Sequence, residues 1–204
     1  MKTMKMWMMA AILVFSGICM VACNNKTAKQ PETEVVPEEV TEPETEVVEE
    51  ATCLTAIDDY LVNEIGKNYS QGDVCIPYAY VVTADESNPD DILVWGDFWV
   101  FNYNLVGDTL KTVSGGDHPG LMHLTKTENG YEVSSFEAVE DGAGNMESAQ
   151  AIFADKFDAF SELNGNAEMR EEMRLRYTAD YVKKHDLAAT MLQDFGWPAV
   201  ALPQ

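Results

Sequence analysis

The residues best suited to chemistry form one stripe along a strand-like segment, 92–103 (ILVWGDFWVFNY). They are Trp95, Asp97, Trp99, Phe101 and Tyr103. Alternate side chains of a strand share a face, so these five should line one surface. A carboxyl among aromatic rings has its charged form disfavoured, and such an acid can serve as a general base. The stripe predicts a ligand pocket. The alternative is a small isomerase or hydrolase with Asp97 as base.

A bulge at Gly96-Asp97 would instead turn this acid toward solvent or toward a backbone partner. Other catalytic patterns are sparse. His118 and His123 flank a Gly-Pro segment, but the spacing supplies no further ligands for a zinc or manganese ion. The sequence has no Gly-Xaa-Ser-Xaa-Gly elbow, no phosphate-binding glycine loop and no Cys-Xaa-Xaa-Cys pair. We therefore expect no enzyme, no metal and no cofactor.

The N-terminus reads as a targeting segment. Lys2 and Lys5 precede an uncharged apolar run over 7–22, which is short for a membrane span. The run ends in Met20-Val21-Ala22-Cys23. This ending resembles the lipobox of bacterial lipoproteins, although Met stands where Leu is commonest. The resemblance implies a signal peptide over 1–22, cleavage before Cys23, and acylation of Cys23. It also implies a membrane anchor in the cell envelope, at the outer membrane if the cell is Gram-negative.

Two cysteines remain once Cys19 leaves with the signal and Cys23 is acylated. An oxidising compartment favours a disulfide between Cys53 and Cys75, which would close a loop of about 20 residues and contribute about 3 kcal/mol. Two free buried thiols are the alternative. We expect the bridge.

The segment over 23–51 reads as a linker. Residues 24–51 contain no aromatic residue and no glycine, nine Glu fall within 32–50, and Pro-Glu-Thr-Glu-Val-Val occurs twice. Such a stretch buries too little apolar surface to offset the entropy of ordering it. We expect a disordered tether, with an acidic ligand for a basic partner as the alternative.

The remainder, 52–204, should be one domain. Helical spacing over 54–69 and Thr52 as a cap predict a first helix. Strands are expected over 74–83, where Pro77 indicates an edge or a bulge, and over 92–103. A short strand over 110–114 and an irregular loop over 114–120 should follow. Residues 121–139 should then form a hairpin around Asn129-Gly130.

Two or three helices should finish the chain. Apolar residues from Met146 to Leu163 recur at helical spacing, and those from Met169 to Tyr181 continue in a second helix. A short third helix is expected over 187–195, and the tail with Trp197 and Pro198 should pack back on the domain. The expected fold is α+β, a first helix against a curved antiparallel sheet of four to five strands. This order is similar to the cystatin and nuclear-transport-factor-2-like cone, although the late helices depart from it.

The charge of the chain restricts its partners. Lys and Arg number 13 against 35 Asp and Glu, so the net charge is −22, and 52–204 alone carries −17. This excludes a nucleic-acid binder that neutralises phosphates, and docking onto anionic lipid through a basic patch. The leading hypothesis is a membrane-tethered, noncatalytic binding module for a protein or small molecule. Besides the Asp97 enzyme, an inhibitor or immunity-type protein that masks a basic target is an alternative.

Overall fold

The computed structural model describes residues 52–204. The predicted signal peptide over 1–22, the acylated Cys23 and the linker over 23–51 lie outside the described residues. No helix within 52–204 is long and apolar enough to cross a membrane.

The first helix, α1, spans Cys53–Tyr60 and continues through a wider turn, Leu61–Ile65, and a tighter one, Gly66–Asn68. Thr52 caps it as predicted, because its side chain accepts a hydrogen bond from the Thr55 amide at 3.2 Å. Ile57 and Leu61 are fully buried on the inner face. Leu54, the first residue of the predicted helical pattern, is instead 48% exposed.

A strongly curled mixed sheet, a half-barrel, follows α1. Its strands are β1 (Val74–Asp85), β2 (Ile92–Val106), β3 (Thr109–Thr127), β4 (Gly130–Ala138), β5 (Met191–Gln193) and β6 (Val200–Ala201). The spatial order is β1-β2-β3-β5-β6, with β4 also paired to β3. β1 is an edge strand and its register shifts between Val81 and Thr83, which agrees with what Pro77 indicated. β5 runs parallel to β3, so the sheet is not wholly antiparallel as expected.

The loop predicted over 114–120 is wrong, because these residues lie inside the 19-residue strand β3. Its glycines allow close packing rather than a turn. A Cβ at Gly120 would lie 2.2 Å from the Glu137 carbonyl oxygen, and one at Gly115 would lie 2.4 Å from that of Val100. The long strand can therefore pair with β2 throughout and bring its second half close to β4.

Three helices lie between β4 and β5: α2 (Asn145–Phe153), α3 (Phe157–Gly165) and α4 (Ala167–Lys184). The apolar pattern from Met146 to Leu163 is interrupted at Ala154, whose φ is +46°. This break lets Phe153 stack on Phe160 with ring centroids 4.0 Å apart. Met146 is 60% exposed and does not join the core.

The short third helix expected over 187–195 is also wrong, because Met191–Gln193 forms β5. β4 pairs only with the second half of β3, so the first half offers an open edge, and β5 pairs with it at Thr109–Lys111. Leu192 is thereby buried. The tail packs back as expected through β6 and the buried Leu202, but Trp197 stays 71% exposed.

The sheet carries a core on each face. On one face α1 packs against side chains that include Val94, Phe98 and Met122. On the other face, α2 and α3 cover Trp95 and Leu121, while α4 covers Trp99 and Tyr103. The molecule is therefore α+β, with a curled sheet between the first helix and the C-terminal helices.

Candidate functional site

The structure brings the predicted aromatic stripe onto one face, but helices cover it. The Trp95 indole donates to the Ile152 carbonyl at 3.0 Å, under α2. Farther along β2, the guanidinium of Arg170 lies over the Trp99 ring at 4.4 Å and that of Arg174 over Phe101 at 5.3 Å. Both arginines belong to α4. The stripe is thus part of the buried core beneath α2 and α4, with two arginines over its rings, and it does not line an open pocket.

Asp97 is fully buried at the centre of this face. An Nη2 atom of Arg170 lies 3.2 Å from an oxygen of Asp97 and 2.9 Å from one of Asp117. Burial raises the pKa of Asp97 to about 6, because the lowering by the Trp99 indole and by Arg170 offsets desolvation only in part, and Asp117 raises it further. Asp97 is therefore an incompletely compensated acid that titrates near neutrality.

Several buried polar atoms around Asp97 make no hydrogen bond of good geometry among the described residues, although Arg170 and the Trp99 indole lie close to the carboxyl. They are both carboxyl oxygens of Asp97, the Trp99 indole nitrogen, the Tyr80 hydroxyl and Nε of Arg170. Burial also raises the pKa of Tyr80, so its hydroxyl stays protonated. Asp97 lines none of five surface clefts found on residues 52–204. A substrate could reach this carboxyl only if α4 moved.

A second buried network joins α4 to the C-terminal strands. Arg174, 3% exposed, donates to Asp194 at 3.1 Å and to Glu171 at 3.1 Å. Burial lowers the pKa of Arg174, but these two acids raise it more, so the net pKa lies above its ordinary value and the guanidinium keeps its charge. Asp194 also accepts from the Thr112 hydroxyl at 2.6 Å. These bonds hold α4, β3 and the segment after β5 together.

The two predicted loop histidines occupy separate surroundings on β3. His118 shares a hydrogen bond of 3.0 Å with the Tyr69 hydroxyl in a cleft of about 460 Å³, and burial lowers its pKa. His123 lies 2.8 Å from Asp91 and 3.1 Å from Glu137. Burial lowers the pKa of His123, but these two acids raise it above its ordinary value. Within 52–204 no three His, Cys, Asp or Glu side chains are grouped to hold a metal.

An open cleft lined by acidic, aromatic and thiol side chains lies beside the edge strand β1, between α1 and α4. Its volume is about 380 Å³. The residues that give it its character are Asp58, Asp59, Cys75, Tyr177, Asp180 and Tyr181. The Tyr177 hydroxyl donates to the Ala79 carbonyl at 3.2 Å, and the Tyr181 ring stacks on His185 at 4.0 Å. Both rings are thus fixed, and three carboxyls surround them.

Asp58 is the most perturbed acid of this cleft. Burial raises its pKa to about 6, Lys184 lowers it, and the neighbouring Asp59 raises it. A carboxylate held half-buried beside aromatic rings gains most from a cation that enters the same space.

The predicted Cys53–Cys75 disulfide is wrong in this structure, where both thiols are free. Cys53 begins α1, whereas Cys75 lies beside Gly66 near its end, so that a Cβ on Gly66 would lie 2.9 Å from the Cys75 sulfur. Thirteen helical residues separate Cys53 from Gly66, about 20 Å. A disulfide needs Cα atoms within about 7 Å. Burial raises the pKa of both thiols, so neither is an activated nucleophile.

Sequence reasoning missed the cleft residues. Tyr177 and Tyr181 were placed on the inner face of a helix, where a spacing of four is typical of core packing. Asp58 follows the buried Ile57 directly and carries no motif. Only the position of α4 beside the β1 edge, which a sequence pattern does not reveal, brings these residues together.

Comparison of the chain with protein-family models, with curated proteins and with solved structures finds no significant match. The function must therefore be argued from the residues of this chain.

Proposed function

We propose that the protein is a noncatalytic binding lipoprotein of the bacterial cell envelope, held to the membrane by an acylated Cys23. The observation that carries the binding role is the cleft between α1 and α4, where Asp58 is half-buried beside Tyr177 and Tyr181. A concave site with a few convergent polar groups and a perturbed pKa is the usual form of a small-molecule site.

The anchor rests on the resemblance of Met20-Val21-Ala22-Cys23 to a lipobox. Two or three acyl chains hold a protein stably on a bilayer, which a single chain does not. The acidic linker over 23–51 then tethers the folded domain. In the same proposal, the curled sheet with α1 against it is a variant of the cystatin and nuclear-transport-factor-2-like cone, with its extra helices placed late.

The cleft chemistry favours a small organic cation. Asp58, Asp59 and Asp180 outnumber the single lysine at the cleft, Lys184, and the domain as a whole carries −17. The faces of Tyr177 and Tyr181 suit an ammonium group or an aromatic body. An anion entering the cleft would meet three carboxyls.

We do not propose the enzyme alternative, because its base, Asp97, is fully buried and pairs with Arg170 at 3.2 Å. The inhibitor alternative keeps the support of the domain charge alone. Salt-sensitive association with a basic protein would favour it.

Thermal unfolding of the mature chain with millimolar ligands tests the proposal. Tyramine, spermidine and choline are the cationic probes, and acetate and phosphate are the anionic controls at equal ionic strength. At 100 times its dissociation constant, a ligand adds about 2.7 kcal/mol to stability, so at least one amine should raise Tm by several degrees. Equal shifts from the anions, or none from any amine, would count against the cation site.

A further inference from the structure

A tight turn between β5 and β6 presents two aromatic side chains to solvent. In this turn, Asp194 to Trp197, the Trp197 amide donates to the Asp194 carbonyl at 3.1 Å. Gly196 has φ +79°, which the third position of a type II turn requires. Phe195 is 92% exposed and Trp197 is 71% exposed. Both side chains are therefore largely in contact with water.

Hydrogen bonds nevertheless fix this turn to the rest of the domain. The Asp194 carboxylate accepts from the buried Arg174 at 3.1 Å and from Thr112 at 2.6 Å. The Gln193 side-chain amide donates to the Trp197 carbonyl at 2.9 Å. The fold thus orders this turn through a buried charge network and leaves its two largest apolar groups in water. Such preorganised exposed aromatics gain stability only from contact with something outside the chain.

From this arrangement we propose that Phe195 and Trp197 form a second membrane contact, which inserts into the headgroup region of a zwitterionic bilayer. Area favours a bilayer over a protein partner. Each ring offers about 150–250 Å², whereas a stable protein interface buries about 800 Å² on each side. Tryptophan is also typical of the membrane–water interface.

A bilayer lies close to the domain if Cys23 is acylated as proposed, and the inference rests on that anchor. The domain then stays near the surface at a high effective concentration, so a contact too weak to bind free protein is populated in the tethered protein.

Charge selects the lipid. The domain carries −17, so an anionic surface repels it. At the turn itself, the charges of Asp194 and Glu171 are met by Arg174. Insertion should therefore be strongest in zwitterionic phosphatidylcholine and weaker as phosphatidylglycerol is added.

Fluorescence quenching of the acylated mature protein in phosphatidylcholine vesicles tests the proposal. Trp95 and Trp99 are below 10% exposed, so fluorescence quenching by neutral acrylamide reports mainly on Trp197. The difference signal from Trp197→Phe isolates that residue. Vesicles should lower the quenching constant of Trp197 at least threefold, and bromine-labelled lipid should quench it. Phe195→Ser should halve this protection or more, whereas Met146→Ser, at another exposed apolar residue, should leave it unchanged.

The outcomes separate the two proposals. If the protein sediments with vesicles while acrylamide still reaches Trp197 equally, the second contact is refuted and the anchor stands. If an intact mass shows no acyl groups and the protein stays in solution, both are refuted. Protection that needs no lipid and grows with protein concentration would assign the turn to contact between copies of this chain and overturn the membrane contact.

Discussion

At the scale of single residues, the chain keeps charged side chains in places that cost free energy. Asp97 is enclosed with Arg170 but without good hydrogen-bond geometry, whereas the buried Arg174 pairs with two acids, Asp194 and Glu171, that remain partly exposed to solvent. A buried charge lowers the stability of the fold unless its partners offset the free energy lost when the ion is desolvated. Arg170 and Arg174 therefore differ in how well they compensate the acids beside them, and the dependence of stability on pH should reveal the difference.

Asp97→Asn should flatten the dependence of stability on pH. The folded pKa of Asp97, about 6, lies above its ordinary value of 3.8, so the folded state binds the proton more tightly than the unfolded state. The stabilisation is complete below about pH 4 and is lost as pH rises through 6, about 2–3 kcal/mol in all. Urea unfolding at pH 4.5 and 7.5 should show a smaller loss for the variant. Equal losses in both proteins would show that Asp97 is not perturbed.

Arg174→Ala should destabilise the fold by about 1–3 kcal/mol, since it removes the hydrogen bonds of the buried guanidinium to Asp194 and Glu171 and the packing of its aliphatic stem. Arg176→Ala is the matched control. Its side chain is 68% exposed and, within the described part of the chain, pairs with Glu172, so its loss should change stability by less than about 0.5 kcal/mol. Chemical denaturation measures both, and equal effects would refute the role assigned to the network.

At the scale of elements, local patterns predicted what local physics decides. Thr52 as a cap, Pro77 at an edge and the Asn129-Gly130 turn all follow from backbone chemistry within a few residues. The continuous β3 did not, because Gly115 and Gly120 are typical of loops and only their neighbours explain them. β5 was missed because it depends on an edge of β3 that lies 82 residues away in sequence. The cleft at β1 is non-local in the same way.

Gly120→Ala should separate close packing from loop flexibility. The new Cβ would meet the Glu137 carbonyl oxygen, so β3 and β4 would have to shift, at a cost of about 1–3 kcal/mol. Gly165→Ala is the control, since a Cβ there meets nothing within 4 Å. It should be neutral or slightly stabilising. Should both substitutions prove harmless in thermal unfolding, the close approach of the strands would be in doubt.

At the scale of the whole molecule, acidity and the expected anchor act together. Most of the charge of −22 belongs to the folded domain, not to the linker. The charge keeps polyanions away from the domain and draws cations toward the cleft between α1 and α4. In the proposed tethered form, the segment over 23–51 would keep the domain close to the membrane.

Cys23→Ala should move the protein from the membrane fraction to the soluble fraction, because without the acyl chains only the weak contact of Phe195 and Trp197 remains. Cys53→Ala and Cys75→Ala serve as matched controls and should stay with the membrane. Fractionation after a high-salt wash measures this. A Cys23→Ala protein that remains bound would show that something other than the acyl chains holds it.

Binding in the cleft between α1 and α4 is the central claim, and calorimetric titration with the most stabilising amine tests it most directly. Wild type, Asp58→Asn and Asp158→Asn should be compared, because the two variants remove the same charge and Asp158 is exposed on α3, away from the cleft. The loss of a charge-assisted hydrogen bond should weaken binding to Asp58→Asn about tenfold or more, and Asp158→Asn should bind like wild type. Equal affinity in all three proteins would contradict the claim.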